Sequence, residues 1–307
     1  MPELPEVETV VRGLRPRLMG RRIVRLELRQ PAIVRSDVKR FRRALAGARI
    51  AGMRRRGKYI LIELAGANGR AAAGRGFWVV HLGMTGQLYA AKKSAPLEKH
   101  THLIAWLSSG EQLRYRDPRR FGRLLALRAD EVEAYFAPLG PEPLRISLDG
   151  FRRLFAGRKA PVKNLLLNQN RLRGVGNIYA GEALFLSGIY PARAAASLSP
   201  AELERLYRAL RQVLREAIAG QGSTVSDYRR GDGLPGNYQN SLQVYDREGQ
   251  PCPNCGQPIE RLVLAGRSAH FCPRCQPAER VRPAKARNIP QRPLARSVIL
   301  SEAKNLS

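Results

Sequence analysis

Two clusters in this 307-residue sequence have the residue types and spacing that chemistry needs. The first is the opening segment, Met1-Pro-Glu-Leu-Pro-Glu-Val-Glu-Thr9. A small second residue favours removal of the initiator Met, which is expected to leave Pro2 as a free secondary amine. An α-amino group titrates near ~7.7–8.0 against ~10.4 for lysine, so far more of it is neutral at physiological pH. A neutral amine can attack a sugar carbon and form an iminium, which is nucleophilic catalysis without a buried lysine. Glu3, next in the chain, is placed to move protons. The alternative, from this segment alone, is that Pro2 and Pro5 merely stiffen the start of a helix.

The second cluster holds all four cysteines. Cys252-Pro-Asn-Cys255 and Cys272-Pro-Arg-Cys275 are separated by sixteen residues, a zinc-ribbon spacing. Each knuckle turns two thiolates to one side, and two knuckles on a hairpin close a tetrahedral shell around one Zn²⁺. A closed four-thiolate shell leaves no position for water, so the ion is structural. The alternatives are two disulfides, disfavoured in a cytosolic chain, or a redox CxxC. Between the knuckles, Glu260 to His270 reads as a β-hairpin presenting Arg267 at its tip.

Elements must carry these groups. Residues 5–18 put Val7, Val10, Val11, Leu14 and Leu18 on one helical face, with Pro16 expected to kink or end the helix. From about 22 to 127 the pattern is mostly strand: 58–64, 77–82 closing at a Gly83–Gly86 turn, a hairpin of 102–107 and 112–115, and 123–127. Residues 65–76 form a low-complexity loop. Helices are predicted at 130–136, 147–156, 161–169, 177–187 and 199–219, the last opened by the capping box Ser199-Pro-Ala-Glu202. Gly174-Val-Gly176-Asn177 opens a helix in the manner of a phosphate site, or is simply a turn. Residues 220–240 read as an extended loop.

Charge narrows the function classes. The formal net charge is +29 with a sequence pI near 11.2, an excess that a polyanion such as nucleic acid would neutralise. The tail after Cys275 has seven basic and two acidic residues, so +24 belongs to the rest; the tail is expected to be disordered. No stretch approaches the roughly 20 apolar residues of a membrane-spanning helix. Residues 1–20 carry Glu3, Glu6 and Glu8 where a secretion signal needs an apolar run. A cytoplasmic, nucleoid-associated protein is expected. An arginine-rich genome is the bland alternative source of the charge.

Several segments in order carry a resemblance: PELPEVETVVRGL, GKYILIEL, HLGMTGQL, DPRRFG, LGPEPL, GVGNIYAGEALF, GSTVSDYRRGDGLPGNYQNSLQVY and CPNC…GRSAHFCPRC. Together, across roughly residues 1–276, the chain resembles the bacterial formamidopyrimidine-DNA glycosylases. The related endonuclease VIII-like enzymes typically begin Pro-Glu-Gly-Pro-Glu, so Leu4 favours the purine-lesion branch.

The resemblance implies roles at matching positions. Pro2 would be the Schiff-base nucleophile at the sugar C1′ and Glu3 its acid/base partner. Lys58 would serve β-elimination and contact phosphate, and Arg267 would support δ-elimination. Met84, Arg119 and Phe121 match the family's intercalating trio; His100, Arg119, Lys159 and Asn177 match its DNA contacts. The 220–240 loop matches the one that caps the flipped base. Chemistry on a base requires its extrusion and a filled hole behind it. Met84 and Phe121, each in a Gly-flanked turn, suit that filling; ordinary core packing is the alternative. Lys58 alone also reads as a solvated strand-end cation. His81 reads as structural. The longer 65–76 loop, Gly181 where an acidic residue is common, Asn168-Gln-Asn-Arg171 and the basic tail depart from the family.

The expected class is α+β: an N-terminal catalytic β-sandwich with flanking helices (1–130), a helix-two-turn-helix region with the capping loop (131–240), a zinc-ribbon finger (241–276) and the tail (277–307). The expected activity is excision of oxidised purines (8-oxoguanine, formamidopyrimidines) from duplex DNA, then β,δ-elimination at the abasic site, by a monomer holding one Zn²⁺. The rivals are an endonuclease VIII-like glycosylase for oxidised pyrimidines and a non-catalytic zinc-ribbon DNA-binding protein.

Overall fold

The structure, a computed structural model, describes residues 1–66, 76–224 and 234–278. Helix α1 (Leu4–Leu18) starts where the Glu6 carboxylate, at Oε2, accepts the Glu3 N–H at 2.8 Å, satisfying an otherwise orphaned donor. Its apolar stripe faces two ways. Val7, Val10, Val11, Leu14 and Leu18 join the core of the N-terminal sandwich, whereas Leu4 belongs to the core of the helical region. The first residues therefore sit on the seam between the two cores. Pro16 does not end α1, which runs on to Leu18. It lies two residues from the helix end, so only one ladder bond is forfeited, and buried Leu14 and Leu18 hold the last turn.

After α1 come β1 (Ile23–Leu28), α2 (Val38–Leu45), β2 (Arg49–Arg56), β3 (Tyr59–Ala65), β4 (Gly76–His81), β5 (Gln87–Lys92), β6 (Thr101–Leu107), β7 (Glu111–Arg116) and β8 (Arg123–Arg128). They form two antiparallel sheets in the orders β1-β6-β7-β5 and β2-β3-β4-β8. Inward residues such as Ile60, Ile62, Trp78, Val80, Leu103, Leu113 and Tyr115 fill the space between them. The other face of the second sheet is apolar too: Leu61, Phe77, Val79 and Leu125 pack on Val132 and Phe136 of α3 (Ala129–Phe136). Burial on both faces is why β3 and β4 read as continuous apolar runs instead of alternating ones. Helix α2 falls in a region read as strand. Its run Val-Lys-Arg-Phe-Arg-Arg-Ala-Leu buries only Phe41 and Leu45, a stripe too thin to stand out among four cations.

The helical region comprises α4 (Leu148–Phe155), α5 (Val162–Leu167), α6 (Asn177–Leu186) and α7 (Pro200–Ala219) around one core. Helix α6 is buried nearly all round, Ile178 through Phe185. Its Glu182 is buried as well, and accepts the backbone N–H groups of Gln243, Val244 and Tyr245 at 2.8, 3.0 and 2.9 Å. Three N–H donors offset much of the cost of burying that carboxylate, and they fasten the chain leading to the ribbon. Strands β9 (Glu260–Leu264) and β10 (Arg267–Phe271) meet at Ala265-Gly266, with φ of 47° and 73°, the left-handed pair of a tight hairpin. Gln276 clamps the ribbon to the helices: its Oε1 accepts from Cys272 N at 3.0 Å and its Nε2 donates to Ile189 O at 2.8 Å.

Candidate active site and nucleic-acid interface

Local capping and seam packing together place the acidic pair. Leu4 N donates to Gly174 O at 2.9 Å, so the start of α1 lies against the Gly174–Gly176 turn. Glu3 Oε1 accepts from Ile178 N at 3.0 Å, in the first turn of α6. The helix N-terminus that resembled a phosphate site thus already holds an anion, the chain's own carboxylate. The other Glu3 oxygen, Oε2, is buried without a hydrogen-bond partner among the described residues. Glu6 lies deeper, bonded to the Tyr179 hydroxyl and accepting from Ser223 N at 2.9 Å. Burial, and then the neighbouring Glu3 charge, raise the Glu6 pKa above the ordinary carboxylate value.

Pro2 is buried beneath an exposed Met1. Met1, Lys58, Asn164, Gly176 and Arg267 line a common cleft of about 360 Å³. Lys58 follows the turn at Gly57, whose φ is +59° and whose N–H donates to Glu142 Oε1 at 2.7 Å. Glu142 also accepts from Arg55 Nη1 at 2.9 Å and Arg173 Nε at 3.1 Å, tying the β2–β3 turn to the helical region. Lys58 is itself buried, which removes the reading of a solvated strand-end cation. Burial, with the Arg267 charge, holds its ammonium below the ordinary lysine pKa, against the opposing pull of Glu3 and Glu6.

Lys163, which no sequence signal singled out, is the second buried ammonium here. Its Nζ donates to Ser268 O at 2.7 Å, and burial lowers its pKa to about 8. Asn177 Nδ2 donates to Ser268 Oγ at 3.3 Å. Lys163 escaped notice because Val162-Lys-Asn-Leu165 reads as an amphipathic helix with Lys outward, and only the docked ribbon covers that face. In the sequence Glu6 stands out only as one of the acids that break a secretion signal's apolar run, and Tyr179 and Ser223 carry no signal. His81 is structural: Nδ1 accepts from Gly83 N at 3.2 Å, and burial, with Lys58 and Arg123, lowers its pKa to about 4.

A second group stands apart from this cleft, on the β4–β5 and β7–β8 turns. Met84 is 39% and Phe121 52% exposed, so neither is core packing. The Arg119 guanidinium lies 4.9 Å from the centre of the Phe121 ring. His100 is exposed, with φ of 64°, beside the start of β6. Lys159 is exposed on the α4–α5 connection, and among the described residues no hydrogen bond or ion pair joins it to the cleft. Gly181 is buried, with open space where a Cβ would stand. The tip of the expected base-capping loop, 225–233, lies outside the described residues, as do 67–75 of the long loop and the tail from 279.

The four Cys Sγ atoms lie within 4.8 Å of one another, with contacts of 3.8 Å (Cys252–Cys275) and 3.5 Å (Cys255–Cys272 and Cys255–Cys275). A tetrahedral zinc with bonds of ~2.3 Å sets sulfur–sulfur edges of about 3.8 Å. The thiols converge on one centre instead of pairing off, which fits one structural zinc ion and not two disulfides.

Comparison with known proteins agrees with this architecture. Residues 1–124 match the formamidopyrimidine-DNA glycosylase N-terminal domain, 139–229 the H2TH domain of the same proteins, and 249–278 the zinc finger found in FPG and IleRS. The formamidopyrimidine-DNA glycosylase of Symbiobacterium thermophilum is 46% identical over 282 residues, covering 90% of each chain. The crystal structure of the MutM (FPG) protein of Thermus thermophilus is 46% identical, with a TM-score of 0.78 over 90% of this chain and 98% of that one. A Lactococcus lactis FPG mutant in complex with Fapy-dG-containing DNA superimposes with a TM-score of 0.83 at 35% identity, over 90% of this chain and 100% of that one. No helix among the described residues is long and apolar enough to cross a membrane.

Proposed function

We propose, from the premise that the chain belongs to the formamidopyrimidine-DNA glycosylase family and is a DNA N-glycosylase, that it excises oxidised purines from duplex DNA through Pro2 and then cleaves the strand. The observation that supports this reading is the seam: α1 starts between two cores, and Met1, which covers the buried Pro2, lines one cleft with Lys58 and Arg267.

Once Met1 is removed, the Pro2 nitrogen forms a bond to C1′ as the glycosidic bond breaks and the base leaves with a proton taken from solvent. The amine loses its own hydrogen and the sugar ring opens at O4′, giving an iminium; Glu3 carries the proton to that oxygen. Abstraction of a C2′ hydrogen then expels the 3′ phosphate, and a second elimination expels the 5′ phosphate. Lys58, whose ammonium is disfavoured by burial, suits the first proton transfer, and the Arg267 guanidinium suits the departing phosphate. Met84, Arg119 and Phe121 fill the stack behind the extruded nucleotide, while His100, Asn177 and Lys159 meet the backbone. The protein works as a monomer on nucleoid DNA, and its zinc serves only to shape the ribbon.

Borohydride reduction on a duplex bearing 8-oxoguanine tests this. The wild-type enzyme should form a trapped covalent adduct and Pro2→Gly should not. Undiminished trapping in Pro2→Gly would move the amine elsewhere, with Lys58 the first suspect. Faster excision of 5-hydroxycytosine than of 8-oxoguanine would transfer the enzyme to the pyrimidine branch.

A further inference from the structure

Beneath the exposed turns of Met84, Arg119 and Phe121 lies Asp117, fully buried just past β7. Its polar groups are all engaged. The N–H donates to His100 O at 3.0 Å, and the carbonyl accepts from Arg120 N at 3.2 Å and from His102 Nε2 at 2.8 Å. A carbonyl only accepts, so that His102 nitrogen carries the hydrogen. Oδ1 accepts the Thr85 hydroxyl at 2.6 Å; Oδ2 accepts Gly122 N at 2.8 Å and the Tyr115 hydroxyl at 3.2 Å. Thr85 in turn accepts from Arg119 N at 3.3 Å.

These bonds run to both turns and to the loop carrying His100. The backbones also touch directly. A Cβ on Gly83 would come within 2.5 Å of Gly122 N, and one on Gly122 within 1.6 Å of the Tyr115 hydroxyl oxygen. His100 and Arg120 hold left-handed backbone conformations, with φ of 64° and 56°, which non-glycine residues keep only where their surroundings impose it.

We propose that Asp117 is a positioning residue that locks the turns of Met84 and of Arg119 and Phe121 into one rigid wedge. This rests on the base-extrusion reading above, and goes beyond it in naming the group that makes three side chains from two turns arrive together. Filling a vacated stack with loosely tethered side chains would cost the entropy of ordering them at that moment; a preformed wedge avoids the cost. Only a carboxylate offers two oxygens to three donors here. Asparagine keeps one oxygen for Gly122 and Tyr115 and turns its NH₂ to Thr85, whose hydroxyl can rotate to accept. Alanine leaves the buried donors unmet.

The test compares Asp117→Ala and Asp117→Asn with wild type on two substrates: 8-oxoguanine in a duplex, and borohydride trapping on a single-stranded abasic oligonucleotide, which has no stack to fill. Asp117→Ala should lose on the order of 10- to 100-fold in single-turnover duplex excision, yet trap single-stranded abasic DNA within about twofold of wild type. Asp117→Asn should recover part of the duplex rate. In a Met84→Ala, Arg119→Ala, Phe121→Ala background, Asp117→Ala should cost little more, since the groups it positions are already gone. An equal loss on both substrates, full duplex activity in Asp117→Ala, or an undiminished further loss in that background would each overturn the proposal. Failure of the wild-type enzyme itself to trap abasic DNA would instead overturn the underlying glycosylase–lyase reading.

Discussion

Gly176 has no room for a side chain: a Cβ there would lie 2.3–2.7 Å from the carboxyl atoms of Glu3. The glycine lets Glu3 settle on the first turn of α6, so Gly176→Ala should push the carboxylate off Ile178 N. The expected outcome is a fall of ~10- to 100-fold in single-turnover excision with duplex binding nearly intact, because a small misplacement of a catalytic group is costly. Equal rates for the two proteins would mean that Glu3 needs no such seat. Lys163 offers a second check. Its folded-state pKa, about 8, lies below lysine's ordinary 10.5, so between those values the unfolded chain binds more protons and stability rises with pH. Below pH 8 the buried ammonium is a full liability; by pH 10.5 the liability is gone. The unfolding free energy of wild type relative to Lys163→Met should therefore climb by roughly 2–3 kcal/mol across that window. A flat difference would show that Lys163 keeps an ordinary pKa.

At the scale of elements, the ribbon contributes only Cys252, Ile259 and Cys272 to a small core shared with Phe185 of α6 and Val244, too few residues to fold without metal. Chelation should unfold residues 249–278 selectively, seen as new protease cuts there, while the sandwich stays resistant because its core shares no residue with the ribbon. Binding to duplex DNA should fall with it. Ser268 would release Lys163 and Asn177, and Arg267 would leave the cleft. Tight duplex binding by the zinc-free protein would show that the ribbon is dispensable for docking. The differing fates of α1 and α2 in the sequence reading have one cause. Helix α1 shows a stripe of five apolar residues on one face, whereas α2 buries only two beneath a cover of arginines.

At the scale of the whole molecule, a net charge of +29 makes binding a matter of counterion release. The logarithm of affinity should fall linearly and steeply with the logarithm of salt concentration. Because +24 remains without the tail, truncation after residue 278 should preserve most of that slope. Loss of most of it on truncation would assign the electrostatic contact to the tail and not to the clefted face.

Local patterns carried much of this. The zinc ligands were legible because four cysteines in two short turns can do little else, and the strands and most helices because apolar period follows from which face is buried. The residues of the proposed chemistry stand in the sequence too, since a Pro second in the chain beside Glu3 is a covalent property that folding does not alter. What the tertiary structure alone decided is which distant residues share a space. Glu3 meets Ile178, Lys163 meets Ser268 and Asp117 meets Thr85, and no spacing in the chain announces any of these. Long-range burial creates such pairs: a Lys or Asp becomes a buried, fully bonded group only when another element closes over it, and the sequence holds both partners without recording that they touch.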